Sequence, residues 1–337
     1  MIQLTVSGDA AGQRLDKLVR KALRDVPLSH VYKMFRTRKV RVNGARGRAE
    51  QIVAEGDVVV IRGDEERLLA RPGPGPGQAR VTFTVLYEDA DVLAVNKPAG
   101  LAAHPGTGIE GATLVEMART YLETPELPPT EFRPSPAHRL DRDTSGVVLV
   151  AKHRKAMVRL TEIFTSGEGV QKTYLALVKG KMPRDAGTID LPLSEHEQTS
   201  RSKAARGVNF QEAVTRWKVV SSGKEASLLS VRIETGRTHQ IRRHLEAVGH
   251  PVAGDRRYGD FAWNRLARAR WGLRRMGLHA WKLVLPHPTT GAPLRLEAPV
   301  PKELLEVLSR ANLALPPGAT SIPDQGGPRA ARPEGRD

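Results

Sequence analysis

Two hydrophobic periods divide the 337-residue chain. In "QRLDKLVRKAL", Leu15, Leu18, Val19 and Ala22 recur at helical spacing, and "SHVYKMFRTRKVRVNG" follows with Ser29 as a candidate N-cap. These stretches predict two short helices. "KVRVNG", with its Asn43-Gly44 turn signal, and "AEGDVVVIRG" then predict short strands that close a small unit near Ile61. "ARPGPGPGQAR" sustains neither period and reads as a linker.

Beyond the linker the period shortens. "VTFTVLYEDADVLAVNKPAG" holds two strand-like runs around an acidic turn, and further strands are predicted over 147–151, 173–178, 212–220, 228–234, 278–285 and 294–296. Helices are predicted near 155–164, 238–248 and 302–313. Many strands, few helices and no alternating βα rhythm predict an α+β protein. It would pair a small N-terminal α/β domain (1–64) with a larger domain (81–314) built on a mixed, mostly antiparallel sheet flanked by helices and loops. Residues 65–80 form the expected linker, and the Pro/Gly-rich tail 315–337 is expected to be disordered.

Charge adds a partner to this picture. Lys and Arg number 53 against 37 Asp and Glu, a net charge of +16, which points to a polyanion and most simply to nucleic acid. Arg outnumbers Lys by more than two to one, a bias that suits bidentate contacts to phosphate and carboxylate. Residues 1–62 hold 13 basic against 6 acidic side chains. Arg14, Lys17, Lys33, Arg36, Lys39 and Arg41 are the candidate nucleic-acid anchor there, with a merely solvated basic face as the competing reading. The absence of cysteine excludes disulfides, thiolate catalysis and Cys-ligated metals. The N-terminal residues lack the basic-then-apolar form of a signal peptide, and nowhere do 18 apolar residues run together. A soluble protein of the cytoplasm, without a membrane partner, is expected.

Four polar clusters meet predicted strand ends: "NKPAGLAAHPG", "HRLDRDTSG", "QKTYLALVKG" and "ETGRTHQIRRHLEAVGHPVAGDRRYG". Taken singly, each has an ordinary explanation. Asp141 and Asp143 read first as turn residues, Tyr174 as a packed strand residue, and Gly236-Arg237-Thr238 as a turn with Thr238 as N-cap. His138, His239 and His244 lack the one-face spacing of zinc ligands. Arg237 stands out as a guanidinium able to hold an ionised Asp in a partly dehydrated site.

Together and in this order, the four clusters closely resemble the RluA-type family of RNA pseudouridine synthases, over about 81–301, and look most like its RluC branch. The match is least over residues 192–211. The N-terminal segment resembles the alpha-L RNA-binding domain that also occurs in a small-subunit ribosomal protein. The resemblance implies that Asp141 is the catalytic aspartate, that Arg237 pairs with it, and that Tyr174 lies against the target base. It implies that Arg139 enters the base stack in place of the extruded uridine. It further implies isomerisation of uridines in structured RNA, with 23S ribosomal RNA the expected substrate and transfer RNA the alternative, and no cofactor; with nothing in the sequence suggesting a symmetric apolar seam, a monomer with no obligate protein partner is expected. Two rival functions stand beside it: a non-catalytic RNA-binding or ribosome-assembly factor, and a metal-dependent nuclease using Asp141 and Asp143.

Overall fold

The computed structural model describes residues 1–23, 26–63, 80–105, 111–123, 130–194 and 209–319. The expected linker up to residue 79, the tail from residue 320 and the stretch 195–208 lie outside these residues. The chain divides into two compact units: Met1–Thr82 with His104–Pro136 and Val150–Val158, and Phe83–Ala103 with Ala137–Leu149 and Arg159–Asp337.

The first unit opens with β1 (Ile2–Thr5), α1 (Leu15–Ala22), α2 (Leu28–Arg36), β2 (Val40–Val42), β3 (Ala45–Arg46) and β4 (Val58–Ile61), and its strands pair in the order β1-β4-β2-β3. The predicted periodicity supplies the core: Leu15, Leu18 and Val19 from α1 meet Val31 and Met34 from α2 and Val40, Val59 and Ile61 from the sheet. Asn43 and Gly44 both take positive φ, 49° and 78°, as a tight hairpin turn requires. Helix α2 starts before Ser29. Its N-cap is Pro27, whose fixed φ suits a helix entrance, so Ser29 lies within the first turn instead of capping it.

A ten-stranded sheet follows, most of it in the second unit. Its strands are β5 (Thr84–Glu88), β6 (Val92–Lys97), β7 (Ser135–Pro136), β8 (Ser145–Ala151), β9 (Gln171–Lys179), β10 (Ala186–Asp190), β13 (Val214–Ser222), β14 (Ala226–Ile233), β15 (Leu278–Pro286) and β16 (Pro293–Glu297). The order is β10-β13-β14-β9-β15-β8-β6-β5, with β16 beside β15 and β7 beside β8. A separate pair, β11 (Leu193–Ser194) and β12 (Phe210–Gln211), completes the strands. Helices α3 (Leu114–Tyr121), α4 (Arg154–Ser166), α5 (Gln240–Ala247), α6 (Phe261–Trp271) and α7 (Lys302–Arg310) complete the described helices. Pairing is antiparallel from β10 through β15 and parallel between β15 and β8. The fold is thus the expected mixed, mostly antiparallel α+β arrangement.

Strand β8 is buried at all seven residues, which accounts for its unbroken apolar text. Gly146 sits at φ +119° opposite Ala280 on β15, where an added Cβ would overlap the Ala280 carbonyl. Gly146→Ala should therefore lower stability by at least about 2 kcal/mol, since both the backbone angle and the contact oppose a side chain. A urea midpoint equal to wild type would contradict this.

Candidate active site

The turn that leads into β8 carries Asp141, and its carbonyl accepts the Thr144 N–H at 3.1 Å. A second turn clasps this one. Lys97, the last residue of β6, is fully buried and donates to the carbonyls of Pro98 (2.9 Å), Leu101 (2.8 Å) and Arg142 (3.0 Å). The Arg142 carbonyl also accepts the Gly100 N–H at 2.8 Å, and Arg142 Nε donates back to the Gly100 carbonyl at 3.0 Å. Burial, with Arg275 nearby, pulls the Lys97 amine down to about 7 against the opposing charges of Asp143 and Asp141. Three carbonyls match the three donors of an ammonium, so "KPAG" and "HRLDR" become one rigid corner.

Helix α5 supplies the opposite wall. Arg242 donates from Nη1 to Asp141 Oδ2 at 2.9 Å, and from Nε and Nη2 to the two oxygens of Asp255 at 2.6 and 3.0 Å. Asp255 is fully buried, and its Oδ1 also accepts the backbone N–H groups of Arg257 (2.8 Å) and Tyr258 (3.0 Å). Burial alone would raise the Asp255 carboxyl, but the Arg242 hydrogen bonds and charge and those backbone donors hold it below the usual range. For Arg242, burial works against the charge, yet the two carboxylates raise the guanidinium above its ordinary value. Asp255 therefore fixes the fork, and one Nη is left to aim Asp141.

A cavity of about 240 Å³ opens above this triad, lined by Arg139, Asp141, Tyr174, Arg237, His239 and Arg242 among others. Lys172 also faces it. Burial, reinforced by the Asp141 charge, raises the Tyr174 hydroxyl, which keeps it a neutral phenol. With Arg242 balanced by Asp255, Arg139, Arg237 and Lys172 still outnumber Asp141, and the cavity suits a phosphate-bearing ligand. The same basic surroundings do not suit Asp141 as a magnesium ligand, for which clustered oxygen donors are needed.

The structure thus gathers Asp141, Tyr174, Arg139 and Arg237 around one cavity, but it corrects one pairing. The guanidinium on Asp141 belongs to Arg242. Arg237 lies in the turn before α5 and directs its Nε to the Glu212 carbonyl at 3.1 Å, along the start of β13. The N-cap of α5 is His239, not Thr238: the Gln240 side chain accepts from Arg237 N–H and the Thr235 hydroxyl, and the chain turns through a left-handed residue at His239. Arg242, three residues on, lies on the helix face that His239 begins.

Among the expected N-terminal anchors, Lys17, Lys33, Arg36 and Lys39 are exposed. Arg14 is clamped to Asp16 at 2.9 Å, and Arg41 is half-buried and donates to the Gly44 carbonyl. Arg20, Arg38, Arg46 and Arg48 are exposed as well, cations that the sequence reading left out.

A family model for RNA pseudouridylate synthases matches residues 91–247, a span that contains Asp141, Tyr174 and Arg242. A protein of Salmonella typhi named ribosomal large subunit pseudouridine synthase C is 38% identical over 318 residues, covering 90% of this chain and 96% of that protein. Its namesake in Escherichia coli (strain K12) is 37% identical over 317 residues, covering 91% and 95%. Among solved structures, human RNA pseudouridylate synthase domain containing 4 aligns with a TM-score of 0.55 at 27% identity, covering 69% of this chain and 94% of that one. With such likeness over nearly its whole length, the chain belongs to the RNA pseudouridylate synthase family.

Proposed function

We propose that the protein isomerises uridines to pseudouridines in ribosomal large-subunit RNA, with Asp141 as the catalytic carboxylate. The observation that carries this reading is the Asp141–Arg242–Asp255 triad at the base of a cationic cavity. The substrate class rests on the names and high coverage of the bacterial relatives. The setting is the cytoplasm, with the protein acting as a monomer on RNA.

In this reaction the bond from N1 to the sugar C1′ breaks, the uracil turns, and C5 bonds to C1′ while its hydrogen is exchanged for one on N1. Atoms and electrons balance without redox change, so no cofactor is invoked. An ionised carboxylate can attack or remove a proton, and the Arg242 hydrogen bond aims Asp141. The uridine must leave its stack, which costs a few kcal/mol. Arg139, exposed on the cavity rim, takes the place of the extruded base, and Tyr174 packs against the base in the cavity. Arg237 and Lys172 hold flanking phosphates, and the exposed N-terminal cations add residence on folded RNA.

The test is carbodiimide mapping of pseudouridine on unmodified large-subunit RNA after incubation with the full chain alone. New primer-extension stops are expected at discrete uridines. Stops on transfer RNA only would move the substrate, and silence on both would overturn the enzymatic reading.

A further inference from the structure

His239 takes a left-handed backbone, φ 54° and ψ 26°, a conformation uncommon outside glycine, in which histidine is one of the enriched exceptions, and one that gathers at functional sites when the surroundings enforce it. Its imidazole bridges two groups. Nδ1 lies 3.1 Å from the Tyr258 hydroxyl, with the rings edge-on at 5.6 Å. Nε2 faces Asp141 Oδ1 at 3.7 Å, the carboxylate oxygen that Arg242 does not hold. Tyr258 is itself buried, lies 5.0 Å from the Arg242 guanidinium across its ring face, and donates its backbone N–H to Asp255. One frame therefore carries both groups that touch Asp141.

We propose that His239 is a positioning residue for the Asp141 carboxylate, with Tyr258 fixing the imidazole in the tautomer that points Nε2–H at Oδ1. This rests on Asp141 being the catalytic carboxylate. The electrostatics select the tautomer: a bare Nε2 lone pair facing a carboxylate oxygen is repelled, whereas a Tyr258 hydroxyl donating to Nδ1 leaves the hydrogen on Nε2. At 3.7 Å the contact is longer than a hydrogen bond. It tightens when a base fills the cavity and removes water, as site hydrogen bonds do on substrate binding. Arg242 and His239 then restrain both oxygens, and the carboxylate plane is set before the sugar arrives.

The test uses the full chain and an unmodified large-subunit RNA transcript labelled with tritium at uridine C5, with release of tritium as the readout. His239→Asn suits it, because asparagine tolerates the left-handed backbone but is too short to bridge Tyr258 and Asp141. The melting temperature should be unchanged or higher, KM within about twofold, and kcat lower by roughly tenfold to a hundredfold, the scale of a misplaced catalytic group. Tyr258→Phe, which keeps the ring, should lower kcat by less, and adding it to His239→Asn should change little further. A purely structural His239 would instead show a loss of melting temperature with kcat retained. Unchanged kcat in His239→Asn, or independent multiplication of the two losses, overturns the proposal. No tritium release from the wild type on RNA overturns the functional reading itself, a result distinguishable from a variant that matches an active wild type.

Discussion

Asp141→Asn should release no pseudouridine above background, a loss of roughly a thousandfold or more, while the protein folds and binds RNA as the wild type does. The triad explains why folding survives. Two carboxylates share the Arg242 guanidinium, so neutralising Asp141 leaves a balanced Arg242–Asp255 pair. The asparagine carbonyl can still accept from Nη1. Chemistry does not survive, because an amide is neither a nucleophile nor a base of useful strength. Circular dichroism, RNA binding at fixed salt and pseudouridine mapping check the three parts separately. Product from this variant would remove Asp141 from its assigned role.

Changing Arg242 should strike both stability and turnover. Arg242→Met strands the fully buried Asp255 without its counter-charge, and breaking such a pair costs about 3–5 kcal/mol. Arg242→Lys keeps a charge but cannot fork across both carboxylates. It should fold with a smaller loss and turn over at least roughly a hundredfold more slowly. Arg237→Ala should cost less than either, since Arg237 reaches a backbone carbonyl and not Asp141. The sign of the pH dependence follows from Asp255. Its folded-state carboxyl lies below its unfolded value, so its contribution is present above the unfolded pKa of about 3.9 and is lost as pH falls through the folded one. Urea titrations of wild type should therefore weaken into acid. Arg242→Met should lose much of that dependence, and an identical acid slope would contradict Arg242 as its source.

How far the sequence could be read depends on where burial leaves a mark. Strands β8, β9, β14 and β15 are apolar over most of their length, and their text announces them. Helix α6 went unpredicted because its core-facing stripe is thin: Ala267 is buried with Trp263 and Trp271 packed beside it four residues to either side, while Phe261 and Leu266 are exposed on other faces and blur the period. Strand β10 is mostly exposed and short. In the site, "HRLD" and "GRTHQIRRH" were legible as chemistry, but the arginine that reaches Asp141 depends on helix phase. His239 and Arg242 share one face, Arg243 turns to Ser194, and Arg237 precedes the helix. Asp255 sat unnoticed in "AGDRRYG" because its burial is wholly tertiary. The only local hint was an Asp two and three residues before N–H groups that it could accept.

The corner that holds Asp141 also fixes when in the life of the chain the site can exist. Asp141 and Arg242 lie 101 residues apart, Lys97 and Arg142 45 apart, and Ser145 meets His279 across the parallel pair at a separation of 134. None of these contacts can form from a local segment, and contacts so distant in sequence close slowly because loop entropy must be overcome first. During synthesis, a nascent chain that has not yet emerged through β15 holds the HRLD motif without the strand beside it. The complete site therefore waits until the chain through β15 has been made, and shorter chains carry the HRLD motif without the neighbours that hold it.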